Sequence, residues 1–552
     1  MVVSLETIRY LGPELLLMIL ASCIYLAGAF QRGRSLWTGV ALAGYVVAAV
    51  LMQFSEAASG GVWEVQATAV TTSGPVVVDY LGYWLRCAAL IVGVIFTLVA
   101  ARAANERLAS EYMATLMLLV LGLMLVARAN DLILLFVSLE LISIPTYVLL
   151  YMGPPGRVTS EATVKYFFLS ILSSALFLYG VSLLYGITGT TTLVSDGSIL
   201  SIQAAEPGSI TAAMGLGKTL APLALVMLLA GLGFKLAAVP FHFYAPDVYQ
   251  GSTNANAGLL AVAPKIAGIA AMIRLLVVAM PWLDPFAWQL TIIVAAVTMT
   301  IGNVCALWQT NVRRLMAYSS IAHAGYLLMG IAAAFALGQG SAAQGGVSAA
   351  LFYLLVYTFA SLGTFAALTH LGSDGKQVSK IDELAGLARS QPGIAGCLAL
   401  FMFSLAGIPP LAGFWGKFSL FMGVISTASE TNSAELPGWF IGLAIIGALN
   451  AAIAAGYYLR VVATLYFQPE SARLPAEGNW GTWVATVGCG VLVLAVGLFP
   501  SYLASSSRAA EDSVSAPRLR MVSQAEQRED QASPDQMVIV PIKSDASILA
   551  HR

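Results

Sequence analysis

Apolar stretches long enough to cross a bilayer recur from one end of this chain to the other, and that recurrence decides the solvent in which it folds. A helix needs roughly 20 apolar residues to traverse the hydrocarbon core. Such stretches lie near 9–30, 36–54, 78–101, 111–128, 131–152, 159–187 and 218–240. Seven more follow near 255–280, 287–308, 315–337, 346–371, 393–425, 438–467 and 480–503. The expected fold is therefore an all-α polytopic membrane protein of about fourteen transmembrane helices, with no strands. Composition agrees: 59% of the 552 residues are hydrophobic and 10% charged, whereas a soluble domain carries about 25% charged residues. The first apolar stretch, flanked by Glu6, Arg9 and Glu14, has no small-residue cleavage pattern and reads as a first transmembrane helix.

Basic residues orient the array. With the N-terminus outside, Arg32, Arg34, Arg102, Arg107, Arg157, Arg313 and Arg314 fall in cytoplasmic loops, as do Lys376, Lys380, Arg389 and Arg473. The outward loops 55–77, 281–286, 338–345 and 427–437 contain neither Lys nor Arg, and Arg128 is the exception. This is the positive-inside asymmetry, and one helix more or fewer would scramble it. Residues 504–552 hold six Lys/Arg and seven Asp/Glu and read as a flexible charged tail. That tail lies outside, with Arg508 on the wrong side for the rule.

Several function classes drop out. A net charge of −1 gives nucleic acid nothing to hold. The five cysteines (Cys23, Cys87, Cys305, Cys397 and Cys489) are dispersed in apolar segments without a CxxC pair, so neither a zinc nor an iron–sulfur site is written here. GLGKT at 215–219 lacks the earlier glycine of a phosphate loop. The chain is expected to bind neither NADH nor flavin.

Charge inside the apolar stretches is the functional signal, because an ionised group at the bilayer centre costs at least ~2.5–3.5 kcal/mol. Glu140 lies mid-helix, Lys165 two turns into the next helix, and Lys235, Lys265 and Lys417 within later ones. A single lysine is readily explained by snorkelling to an interface or by a static ion pair. Four lysines with one clear mid-membrane carboxylate are not. Burial disfavours the charged form of an amine, so some of these lysines are expected to lose and regain protons. Glu140 and Lys165 form a natural switchable pair. His242, Asp247 and His323 are possible relays, although a lone helical histidine is more often a packing residue. Arg274 and Arg460 read as helix-end anchors.

Two stretches break. Pro240 follows Lys235 by five residues, and GIPPLAGFWGK places Pro409, Pro410, Gly413 and Gly416 just before Lys417. Proline removes a backbone hydrogen bond and kinks a helix, and unwound backbone at membrane depth is tolerated only where protein or water satisfies it. Paired interruptions are the sign of inverted-repeat transporters. The breaks fall in helices 7 and 12, five crossings apart, and an odd number inverts the second unit. The expected organisation is a three-helix segment at 1–110, a five-helix repeat at 111–280, its inverted partner at 287–467, a final helix at 480–503 and the tail.

SLELISIPTYVLLY, GFKLAAVPFHFYAPDVYQG, PKIAGIAAMIRLL, NVRRLMAYSSIAHAGYLLMG and GIPPLAGFWGKF together closely resemble subunit N of bacterial NADH–quinone oxidoreductase, respiratory complex I, from about residue 110 to 470. Subunits L and M and Mrp-type antiporters share that fold, but Lys417 stands where subunit M typically has a glutamate. The resemblance implies two inverted five-helix bundles and proton pumping driven by NADH oxidation and quinone reduction in other subunits. There NADH, FMN, iron–sulfur clusters and quinone reside; this chain would carry no cofactor and no metal. It casts Glu140 and Lys165 as a coupling ion pair and Lys235 as the central proton acceptor. Lys265 would bridge the half-channels and Lys417 would end the second. Partners would be the lipid bilayer and neighbouring membrane subunits of the K and M types, in a bacterial inner membrane. Two features depart from the family pattern: STNANAGLL after DVYQG lacks the usual threonine/proline-rich stretch, and the charged tail is extra. The closest alternative is a subunit of an Mrp-type sodium/proton antiporter or membrane-bound hydrogenase. A solute carrier would need a substrate pocket at the breaks, and a static spacer would need balanced charge.

Overall fold

A computed structural model of the chain describes residues 5–31, 33–57, 70–103, 106–195, 198–199, 216–280, 286–336, 345–373, 376–430, 436–469 and 478–531. Arg32, Arg473, most of the outward loops and the tail beyond residue 531 lie outside the described residues. The helices begin with α1 (Leu5–Tyr10), α2 (Gly12–Gly28), α3 (Arg34–Ala57), α4 (Tyr80–Ala103) and α5 (Ala109–Arg128). Next come α6 (Leu132–Tyr151), α7 (Arg157–Thr188), α8 (Leu216–Leu236), α9 (Ala245–Gly251) and α10 (Asn254–Met272). α10 continues as a π-helical turn, Ile273–Ala279. The second half holds α11 (Phe286–Leu307), α12 (Val312–Ala336), α13 (Gly346–His370), α14 (Leu387–Ser390) and α15 (Pro392–Ala406). It ends with α16 (Ala412–Glu430), α17 (Leu436–Phe467), α18 (Trp480–Leu498) and α19 (Pro500–Gln531). Among the described residues, eleven helices are long and apolar enough to cross a membrane, and Gly12–Gly28, Leu220–Leu236 and Pro392–Ala406 are shorter apolar helices.

Local signals place the ends. Asp131 caps α6 by accepting from the amides of Ile133 and Leu134, and Asn479 caps α18 through the Thr482 amide. Pro13 and Pro392 stand at the helix starts, where no amide partner is lost. Gly189 and Gly407 close α7 and α15 in the left-handed region. The altered stretch after α9 is itself a cap: Thr253 accepts from the Asn256 amide, and Asn256 accepts from the Tyr112 hydroxyl at 2.5 Å while donating to Leu149 O.

α10, α12 and α13 form the enclosed axis; the apolar stretch of α12 is wholly buried. α7 and α17 lie outermost, turning Phe168, Leu172, Ile445 and Leu449 outward. α11 and α12 approach closely because Gly302 and Gly325 face each other's helix: a Cβ on Gly302 would sit 2.5 Å from the Ala322 amide. Small residues at such crossings are how membrane helices pack.

Two expectations need correction. Two short hairpins interrupt the all-helical reading, β1 (Thr71–Ser73) with β2 (Val76–Val78) and β3 (Gly372–Ser373) with β4 (Lys376–Gln377); both are loop segments where Gly74 and Gly372 supply positive φ. The tail is not flexible from residue 504. α19 continues to residue 531 and packs on α4 and α13, because Leu503, Ser507, Ala510 and Val514 make a buried stripe at helical spacing. Its Glu511 accepts from the amides of Gly345 (3.1 Å) and Val347 (3.0 Å), capping α13, and Ser513 Oγ accepts from the Leu81 amide at the start of α4. Arg274 serves a helix end from a buried position: it donates to Ala127 O in the last turn of α5 and forms a two-pronged ion pair with Asp79. Glu14, in the first turn of α2, is buried and pairs with buried Arg86 at 2.7 Å. Arg460 likewise serves a helix end, donating to Leu307 O and Gln309 O beyond α11.

Candidate functional site

The first break positions Lys235. α8 ends at Leu236, Ala237 takes φ +56°, Val239–Pro240 is cis, and the helix resumes at Ala245. The freed Val239 amide donates to Thr298 Oγ1 on α11 at 3.0 Å, as unwound backbone in a membrane requires. Lys235 is 5% exposed; its ammonium donates to Ser143 Oγ and lies 3.9 Å from Glu140 Oε1. Glu140 and Ser143 are three apart on α6 and so share a face. Glu140 also accepts from Ser174 Oγ on α7.

Lys265 follows on α10. Its helix packs Gly268 against Lys235, where a Cβ would stand 3.5 Å from the Lys235 Cβ. Lys265 is 1% exposed, donates to Ser320 Oγ on α12 at 2.5 Å, and lies 5.7 Å over the Tyr357 ring. Ser320 also bonds the hydroxyls of Tyr357 (3.0 Å) and Tyr249 (3.1 Å). One turn along α12, His323 stands with Nδ1 2.5 Å from the Tyr353 hydroxyl and Nε2 2.9 Å from that of Tyr458. A neutral imidazole donates from one nitrogen and accepts at the other, so His323 links two tyrosines.

The second break positions Lys417. α15 stops at Gly407 (φ +90°), Pro409–Pro410 is cis, and α16 begins at Ala412. Lys417, 5% exposed, folds back to donate to Leu405 O (3.0 Å) and Ala406 O (2.8 Å), the last carbonyls of α15, whose dipole favours a cation. It lies 5.3 Å over the Tyr326 ring. Neither Lys265 nor Lys417 forms an ion pair with a described residue.

The Glu140–Lys165 pair does not form. Lys165 is 40% exposed and pairs with Asp247 and Glu161, each at 2.8 Å. Glu140 meets α7 at Ser174, nine residues beyond Lys165, about 13 Å along the axis at 1.5 Å per residue. Asp247 also accepts from Arg314 at 2.7 Å, bridging α7 to α12. His242 lies in the break with Nδ1 buried and without a hydrogen-bond partner; no hydrogen bond joins it to Lys235 or Asp247. The site residues missed in the sequence are hydroxyls and a cation: Ser143, Ser174, Ser320, Tyr353, Tyr357, Tyr458 and Arg314. Ser143 (three from Glu140) and Ser320 (three from His323) had the right spacing.

A family profile described as the NADH:quinone oxidoreductase/Mrp antiporter transmembrane region matches residues 129–434, which contain both breaks and all four lysines. Subunit N of NADH-quinone oxidoreductase from Trichlorobacter lovleyi is 36% identical over 89% of this chain and 94% of its own length. This chain belongs to the subunit N family. The subunit N of Rhodospirillum rubrum is 35% identical over 91% of this chain and 96% of its own. A chain of respiratory complex I from Thermus thermophilus, 29% identical, superposes with a TM-score of 0.71, covering 90% of this chain and 99% of that one. A chain of the Mrp complex of a Dietzia species shares the fold at 20% identity, with a TM-score of 0.74 over 94% of this chain and 99% of that one.

Proposed function

We propose that this subunit N family member translocates protons across a bacterial inner membrane as part of an NADH:quinone oxidoreductase. The observation that carries this reading is the set of buried lysines: Lys235 beside Glu140, and Lys265 and Lys417 without a carboxylate partner among the described residues, flanking a cluster of Ser320, Tyr357, His323 and Tyr326. Glu140 controls proton affinity at Lys235. The proton passes along α10 to Lys265, through the hydroxyls and imidazole on α12 and α13, and reaches Lys417. Lys165, Asp247 and Arg314 form the charge link between the two halves that responds to redox events elsewhere. His242, with an unpartnered Nδ1, receives the proton entering at the first break.

The finer organisation follows the same reading. Residues 111–280 and 287–467 are inverted five-helix repeats among fourteen crossings, with the N-terminus outside. Redox chemistry, with NADH, FMN, iron–sulfur clusters and quinone, belongs to other subunits, and K- and M-type subunits flank this one. The relatives named subunit N favour this over an Mrp antiporter or hydrogenase subunit.

The decisive experiment compares proton uptake with NADH oxidation in inverted membrane vesicles carrying Lys235→Ala. A fall in protons moved per NADH is expected; an unchanged ratio in a fully assembled complex rejects the role.

A further inference from the structure

Arg508 contradicts the charge asymmetry that orients the chain, because it stands past the last span, on the side where basic residues are otherwise scarce. Its side chain is exposed and forms no ion pair with a described residue. It is also on the rim of a cavity of about 620 Å³ between α13, α16 and α19.

That cavity has a polarity gradient. Its deep end is Phe352, Trp415 and Phe418; its outer end is Ser426, Ser507 and Arg508. Along α16, Trp415 and Ser426 are eleven residues apart, about 16 Å of rise, so the cavity runs from the α13 N-terminus at Gly345 down towards the level of Lys417. Phe418 and Met422 are about half exposed, so the long wall is open sideways to lipid. Two carboxylates lie one turn from Arg508: Glu511 is occupied by the amides of Gly345 and Val347, and Asp512 forms no ion pair with Arg508. The guanidinium is left facing the rim.

We propose that this cavity is a binding site for one anionic phospholipid. Its phosphate sits on Arg508 with the rim serines, and an acyl chain lies along Phe352, Trp415 and Phe418. Water alone does not suit a wall so apolar, and an anionic head group on an acyl chain matches both the rim guanidinium and the apolar wall. The volume falls in the range of pockets that enclose small amphiphiles, ~300–1,000 Å³, and a basic pocket between membrane helices is the chemistry that holds lipid headgroups.

The test uses the intact complex in vesicles of phosphatidylethanolamine and phosphatidylglycerol containing a trace of phosphatidylglycerol with a photoactivatable acyl chain. Labelling of peptides from α16 and α19 is expected. Arg508→Ala should lower it about fivefold, the effect of one interfacial cation; Arg508→Lys should retain most of it. Ser419→Phe, which fills the cavity and leaves the rim charge in place, should abolish it. Equal labelling by a photoactivatable phosphatidylcholine, or no change in Arg508→Ala, overturns the proposal. So does absence of labelling in the intact complex with labelling of the isolated subunit, which would make the cavity a subunit contact.

Discussion

Glu140 Oε1 stands 3.9 Å from the ammonium of Lys235, and both side chains also bond serines, Ser174 and Ser143 respectively. The carboxylate on α6 thus acts on the lysine at the first break directly. At about 4 Å and an effective dielectric near 20, two unit charges interact by ~4 kcal/mol. Glu140→Gln removes that influence and is expected to lower proton pumping at least about tenfold, with Glu140→Asp intermediate. Fluorescence quenching of a pH-sensitive dye in inverted vesicles, normalised to NADH oxidation, checks it; full pumping by Glu140→Gln rejects the assignment.

Asp247 holds Lys165 and Arg314 at once, yet all three are partly exposed. Ion pairs of that kind contribute only ~0–1 kcal/mol to stability. Asp247→Asn is therefore expected to leave the quantity of assembled subunit unchanged while reducing pumping several-fold. Lys165→Ala should give the same loss, and the double variant no more than either alone, because contacting residues are non-additive. Additive losses would mean that the two side chains act separately.

The buried pairs Glu14–Arg86 and Asp79–Arg274 are structural. Breaking one partner of a buried pair costs ~3–5 kcal/mol, since it strands the other charge. Glu14→Ala and Asp79→Ala should each deplete the membrane of folded subunit. Replacing both partners, as in Glu14→Leu with Arg86→Met, should recover much of it. Immunoblots of membranes and thermal unfolding of the purified complex read the difference.

Gly413 allows α16 to cross α15: a Cβ there would fall 1.7 Å from the Ser404 carbonyl oxygen, a backbone atom. Gly413→Ala must push the helices apart, at ~1–3 kcal/mol for overpacking, and so draw Lys417 away from Leu405 O and Ala406 O. Pumping should fall with Gly413→Ala, whereas Gly438→Ala, which meets nothing within 4 Å, should be silent. Equal behaviour of the two would reject the crossing as the reason.

Spans and breaks were legible because each is local: an apolar run of sufficient length, or Pro240 and Pro409–Pro410 within one. The burial of Lys235, Lys265 and Lys417 was legible for the same reason. Partner choice was not. Whether Lys165 meets Glu140 or Asp247 depends on the height at which α6 crosses α7, and sequence spacing carries no record of that height. The Asp79–Arg274 pair joins residues 195 positions apart, and nothing in either stretch announces the other. The α19 stripe was hidden by composition, because its buried positions include Ser507, Glu511 and Ser513 beside only a few apolar residues.

The contact between Ser513 and Leu81 spans 432 positions. At ~5–20 residues per second, the ribosome needs about 20–90 s to travel from one to the other. The start of α4, and likewise that of α13, must wait at the aqueous surface with amides still hydrated until residues 511–513 emerge. A chain released after α18 possesses every candidate span found among the described residues and lacks both clasps, leaving the first amides of α4 and α13 without these side-chain acceptors.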